Sequence, residues 1–193
     1  MLAGSFRRRE AVSSNEVRII GGMWRGRKLS FTGPADLRPT LGRVRETLFN
    51  WLAADIGGAR CLDLYAGSGA LGFEALSRGA ASATLVEQDR RAAAALRSNA
   101  QRLQAEGCRV LCMSAERFIR SSDETWDIVF LDPPFDSDRL GPMLGALHAR
   151  ACLAAGGLVY FEASRRSVLT FPEWRIVRQG HAGETQFGLL ASP

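Results

Sequence analysis

A chain of 193 residues is one domain with a short extension, at about 150 residues per domain, and it is long enough to fold on a hydrophobic core without disulfides or metal. Its 46% hydrophobic and 23% charged content exclude a disordered chain, a collagen and a coiled-coil rod, and no apolar run reaches the ~18–20 residues of a membrane span. The formal charge of +5 sits at one end: residues 1–46 hold ten Lys/Arg against four acids, a net +6, and the remainder fifteen against sixteen, a net −1. A basic arm on a near-neutral body is the electrostatic footprint of a polyanion partner, most often nucleic acid.

Cys61, Cys108, Cys112 and Cys152 form no CxxC pair, and only two histidines accompany them. They are expected to be small hydrophobes in a reducing cytosol, with no zinc site. No apolar stretch follows Arg9, which excludes a secretory signal, and residues 1–16 read as a disordered basic tail.

In chain order, Arg18 to Ser30 reads as a basic hairpin turning at Gly21-Gly22, and Gly33-Pro34 ends it. A helix opens at Arg38-Pro39-Thr40 and runs to about Ala54, with Val44, Leu48, Trp51 and Leu52 on one face. From Arg60 a βα pattern repeats. Strands are expected at Cys61–Tyr65, Ala83–Glu87, Arg109–Met113, Trp126–Leu131 and Gly157–Glu162. Helices are expected at Leu71–Ser77, Arg90–Gln104, Glu116–Arg120 and about Asp138–Cys152. Arg175–Arg178 and Thr185–Leu190 close the chain with no room for a helix between them. Near-continuous apolar strands alternating with helices predict an α/β fold: a mostly parallel sheet covered on both faces, with an antiparallel edge pair.

Between the first of these strands and its helix runs Asp63-Leu64-Tyr65-Ala66-Gly67-Ser68-Gly69-Ala70-Leu71-Gly72. Its literal GxGxxG invites a dinucleotide reading. The glycines let the backbone pass close to a nucleotide-like ligand, and Glu87, ending the next strand, can accept both hydroxyls of a ribose. Asp63 tips the choice towards S-adenosylmethionine, which presents a cationic amino-acid tail and a sulfonium in place of a pyrophosphate. Asp132-Pro133-Pro134-Phe135 follows the fourth strand and faces the same crevice, because ligands in such sheets bind outside the carboxyl ends of the strands. An exocyclic amino group on a nucleobase is a poor nucleophile, its lone pair being delocalised into the ring. The Asp132 carboxylate and the Pro133 carbonyl can each accept one of its hydrogens, and Phe135 can stack on a base taken out of its helix.

At this point the chain resembles the class I S-adenosylmethionine-dependent methyltransferases, and specifically the RsmD-type 16S rRNA guanine-N2 methyltransferases. The discriminating stretches run from Arg18-Ile19-Ile20-Gly21-Gly22-Met23-Trp24 to Leu29, and from Leu37-Arg38-Pro39-Thr40 through Arg43-Val44-Arg45-Glu46 to Leu52. The resemblance implies a Rossmann-like seven-stranded sheet with an N-terminal β-hairpin. It implies methyl transfer to N2 of a guanine in the small ribosomal subunit or its assembly intermediate, by a cytoplasmic monomer without metal. Carried over by position, Asp63, Tyr65, Gly67 and Gly69 line the methionine end of the cofactor, with Asp132 beside them. Glu87 holds the ribose, and Ser114 and Ala115 lie by the adenine. Asp132 to Phe135 handle the target base, while Arg18, Trp24, Arg25, Arg27, Lys28, Arg38, Arg43 and Arg45 contact RNA. The chain then divides into the tail (1–16), an RNA-contacting hairpin and helix (17–54) and the methyltransferase domain (55–193). Two positions depart from the pattern: Gly42 where an acid usually precedes the Arg-Val-Arg-Glu run, and Ser114 where many methyltransferases carry an acid.

Other readings meet specific obstacles. An adenine-N6 or other nucleobase amino methyltransferase shares the Asp-Pro-Pro-Phe segment, so only the N-terminal stretches separate it. A protein-glutamine methyltransferase typically carries Asn at the position of Asp132. A nicotinamide-dependent oxidoreductase leaves that segment and the basic hairpin unexplained. A non-catalytic ribosome-assembly factor would tolerate loss of Asp132.

Overall fold

The computed structural model describes residues 14–32, 42–134 and 138–192. Phe135, Arg38, Gly33-Pro34 and most of the basic tail lie outside them. Strands β1 (Ser14–Arg18) and β2 (Lys28–Thr32) form an antiparallel hairpin, followed by helix α1 (Gly42–Trp51). The main body runs β3 (Arg60–Asp63), α2 (Ala70–Ser77), β4 (Ser82–Glu87), α3 (Arg90–Leu103), β5 (Cys108–Cys112), α4 (Ala115–Ser121), β6 (Trp126–Leu131), α5 (Leu140–Ala149), β7 (Leu153–Ser164), β8 (Arg175–Ala182) and β9 (Thr185–Ala191). Seven of these strands make one sheet in the order β5-β4-β3-β6-β7-β9-β8, the first five parallel and β9 antiparallel to both neighbours. This is the class I methyltransferase architecture.

Alternation along each strand divides the core into two clusters. Cys61, Leu85, Ile128, Phe130 and Tyr160 face α1, α2, α3 and the hairpin. Leu62, Val86, Val129, Leu131 and Phe161 face α4 and α5. Period-2 alternation with both faces buried leaves no polar side, which explains the continuous apolar runs.

Three expectations change. Strand β1 begins at Ser14, so residues 14–16 belong to the hairpin and not to the tail. The reversal is not a two-residue turn at Gly21-Gly22: Ile19 N–H donates to Arg27 O (3.0 Å) and Gly26 N–H to Ile19 O (2.9 Å), closing a longer loop. β7 starts at Leu153, four residues earlier than expected, because the Ala154-Ala155-Gly156-Gly157 stretch stays in the strand across a register shift opposite Trp126/Ile128.

The hairpin is built into the body. Val17, Ile19, Leu29 and Phe31 are buried in the same cluster as α1 and the sheet. Its loop is held by Glu74 of α2, a fully buried carboxylate accepting from Ile20 N–H (2.7 Å), Gly21 N–H (2.8 Å) and Arg78 Nε (2.7 Å). Gly22, at φ +74°, lies so close to α2 that a Cβ there would come within 1.8 Å of Ser77 O. Replacing Glu74 with Ala strands three donors and is expected to destabilise the protein by about 3 kcal/mol, as for other broken buried ion pairs. Thermal unfolding of Glu74→Ala measures this, and a Tm within 2 °C of wild type contradicts it.

Candidate active site

The carboxyl ends of the parallel strands bring four acids to one end of the sheet. Asp63, Glu87 and Glu162 each lie two residues from a core residue of the hairpin-side cluster (Cys61, Leu85, Tyr160), so these three point to the α1–α3 side, and Asp132 stands just past the end of β6. Asp63 pairs in register with Leu85 and Phe130, and Phe130 with Tyr160. Glu87, Asp132 and Glu162 therefore stand level with one another, two residues further along than Asp63. That offset places Asp63 deepest in the crevice.

Asp63 is 2% exposed and its Oδ2 accepts from Gly72 N–H at 3.0 Å, tying the first turn of α2 to the end of β3. Burial pushes its pKa up to about 7, with the Gly72 hydrogen bond opposing the rise and the Glu87 charge adding to it. A buried carboxyl at the edge of ionisation is suited to a cationic ligand, which would favour its charged form. Glu87 accepts from Gly67 N–H (2.9 Å) with one oxygen and Asp89 N–H (2.8 Å) with the other. It fastens the glycine loop to the end of β4, and each oxygen retains a second lone pair for a ribose hydroxyl.

Gly67 and Gly69 both adopt positive φ, +50° and +79°. At Gly69 a side chain is excluded by packing as well, since a Cβ would lie 2.6 Å from the Phe73 ring and 2.7 Å from Leu96. Gly69→Ala is accordingly expected to lower Tm by several degrees and weaken S-adenosylmethionine binding at least tenfold, measured by calorimetry. Unchanged binding would remove the loop from the cofactor site.

Ser114 caps α4, its hydroxyl accepting from Arg117 N–H (3.3 Å), and Ala115 is buried. An acid, Glu116, stands two residues after Ser114 in the first turn of α4. Glu116 Oε1 accepts from the Tyr65 hydroxyl (3.3 Å) and pairs with Arg139 Nη1 (3.5 Å), linking the loop after β3, the start of α4 and the turn before α5. Burial, and then the Glu116 charge, push the Tyr65 hydroxyl up to about 12. Sequence reasoning missed Glu116 and Arg139, whose only signal was an acid in the first turn of a short helix.

Asp132 is half-buried directly after β6, Pro133 buried and Pro134 exposed. A cavity of about 280 Å³ opens beside them towards Leu140, Glu162 and Phe171. A larger one, about 510 Å³, lies at the opposite ends of the strands among Arg60, Arg109 and Glu124, away from these acids. Among the described residues no cluster of His, Cys, Asp or Glu could hold a metal, and no helix is long and apolar enough to cross a membrane.

The basic residues divide. Arg18, Arg25, Arg27, Lys28 and Arg43 are exposed, Arg27 donating to Arg102 O (3.0 Å) and Lys28 pairing with Glu16 (2.6 Å). Trp24 is half-buried and packs against the hydrophobic cluster, so it serves packing more than an open RNA face. Arg45 is 4% exposed and cannot be the surface phosphate contact expected for it: it lies on the same face of α1 as the buried Leu48 and Phe49.

The family model described as "Conserved hypothetical protein 95" matches residues 17–191. The Escherichia coli (strain K12) protein "Ribosomal RNA small subunit methyltransferase D" is 46% identical over 178 residues, 91% of this chain and 90% of that one. The chain belongs to this RsmD-type methyltransferase family. Its Haemophilus influenzae relative of the same name is 40% identical over 182 residues, covering 92% and 94% of the two chains. A solved Escherichia coli structure, yhhF, superposes with a TM-score of 0.84 at 44% identity, over 92% of this chain and 98% of that one.

Proposed function

We propose that this protein transfers a methyl group from S-adenosylmethionine to the exocyclic N2 of a guanine in 16S rRNA. The observation that carries the reading is the row of carboxylates ending four adjacent parallel strands, with Asp132-Pro133-Pro134 beside the glycine loop. The names of its relatives point to small-subunit rRNA as the acceptor.

In this reading Asp63 meets the cationic end of the cofactor, Glu87 its ribose, and the Gly67–Gly69 backbone passes beneath it. S-adenosylmethionine supplies an electrophilic methyl on a sulfonium. The chain's own part is to orient the acceptor: Asp132 and the Pro133 carbonyl each take a hydrogen bond from the N2 amino group, turning its lone pair towards the methyl. The methylated nitrogen is a strong acid, and its extra proton leaves to Asp132 or to water, so no strong general base is needed. The exposed arginines of the hairpin and Arg43 supply sequence-independent attraction to RNA phosphates.

Labelled methyl transfer to undermethylated small subunits, naked 16S rRNA and duplex DNA, followed by nucleoside digestion, tests the reading. Label in N2-methylguanosine of 16S rRNA is expected. Label in N6-methyladenine, or none on any RNA, would overturn it.

A further inference from the structure

Arg45 has no role in the chemistry above, yet it is placed at considerable expense. Its guanidinium is buried in the α1-side cluster, and its Nε and Nη1 have no hydrogen-bond partner among the described residues. A buried charged group with orphaned donors is strongly disfavoured unless something else satisfies it.

Its position says what. Arg45 is one turn before Phe49 on the same face of α1, and the Phe49 ring lies 5.9 Å from that of Phe130. Asp132 follows β6 immediately, two residues after Phe130, and its charge acts on the Tyr160 hydroxyl. On the neighbouring strand Glu162 follows Tyr160 by two residues, and Tyr160 is the register partner of Phe130. Arg45 therefore lies on the sheet-facing side of α1, close to β6, and the carboxyl ends of β6 and β7 carry Asp132 and Glu162. Burial pushes the Arg45 guanidinium pKa down, and the charges of Glu74 and then Glu162 oppose the shift; the Tyr160 hydroxyl donates to Glu162 at 2.8 Å.

Three carboxylates around the site disfavour a phosphate as the missing partner. A neutral acceptor fits. We propose that Arg45 is a specificity residue that donates a hydrogen bond to O6 of the target guanine while Asp132 holds its N2 amino group. Adenine carries an amino group at the place of O6, and two donors would then face each other. The inference rests on the reaction proposed above.

The test uses small subunits reconstituted with 16S rRNA carrying, at the mapped target, either guanine or 2,6-diaminopurine. The analogue keeps the 2-amino group, replaces O6 with a donor and turns the N1 donor into an acceptor, so the Arg45 variants, which change only the group facing position 6, separate the two changes. Wild type is expected to prefer guanine by at least 100-fold in kcat/KM, because the analogue leaves buried donors unpaired. Arg45→Met is expected to lose 100-fold or more on guanine and to bring the preference within about fivefold, with S-adenosylmethionine binding and Tm near wild type. Arg45→Lys, which keeps the charge, is expected to fall between them, and it decides the matter if the Met variant is poorly folded. Equal loss on both bases, with the wild-type preference retained, would overturn the assignment of Arg45 and leave the reaction standing. No N2 methylation of guanine by the wild type would overturn both.

Discussion

Asp132→Ala is expected to reduce kcat by about 10²–10⁴-fold, the range for removing one positioned proton-handling group, while changing the S-adenosylmethionine Kd by less than tenfold. The asymmetry follows from the register of the sheet. Asp132 directly follows β6, one strand over from the glycine loop, whereas the groups assigned to the cofactor end β3 and β4. Losing Asp132 removes the acceptor that orients the amino group and leaves Asp63, Gly67 and Glu87 bonded as they are. Asp132→Asn keeps the shape and one acceptor oxygen without the charge, so an intermediate rate is expected. Single-turnover methyl transfer on small subunits, with calorimetry for the cofactor, measures both. Turnover of the Ala variant within tenfold of wild type would show that the segment is only a rigid turn.

Asp63→Asn is expected to stabilise the ligand-free protein at alkaline pH and to weaken cofactor binding there. Burial raises the Asp63 pKa to about 7, against about 3.9 in an unfolded chain. Between these values the folded state keeps a proton that the unfolded state has released. Stability therefore falls as pH rises from about 4 to about 7 and then levels off. At about 1.4 kcal/mol per pH unit the loss is on the order of a few kcal/mol. The amide still accepts from Gly72 N–H and carries no charge, so this loss disappears. The variant's Tm is expected to exceed wild type by several degrees at pH 8 and to match it near pH 4. Binding runs the other way. Wild-type affinity for S-adenosylmethionine should rise with pH towards 7, with proton release on binding below that pH, because the cation needs the carboxylate. The variant should bind at least tenfold more weakly at pH 8, with a flat pH profile. Parallel pH profiles for the two proteins would place the cofactor cation elsewhere.

Much of this protein is determined locally. The period-2 apolar runs and their spacing prescribe a parallel sheet with helices on both faces, and the absence of residues for a helix between β8 and β9 prescribes the antiparallel edge. The Asp63–Gly72 loop and Asp132-Pro133-Pro134 are contiguous in the chain, and their chemistry is readable there because each motif needs only its own backbone and neighbours. Element ends were less legible where chemistry was ambiguous. The small residues 154–157 resemble a turn, and the polar second half of β8 resembles a loop, although an edge strand needs only one apolar face.

What only the tertiary structure decided is which distant groups meet. Arg45 reads in the chain as one more arginine in a basic segment. Its burial follows from α1 packing Leu48 and Phe49 onto β6, and its neighbour Glu162 lies 117 positions away. Glu74 becomes the anchor of the hairpin because the loop 20–21, more than fifty residues away in the chain, aims two backbone donors at it. The raised pKa of Asp63 likewise belongs to no motif. It arises because β3 is the central strand of the parallel set and ends two residues short of β4 and one short of β6, so that the surrounding elements exclude water from its carboxyl. Desolvation and the pairing of remote charges are properties of the packed volume, and local sequence carries no record of them.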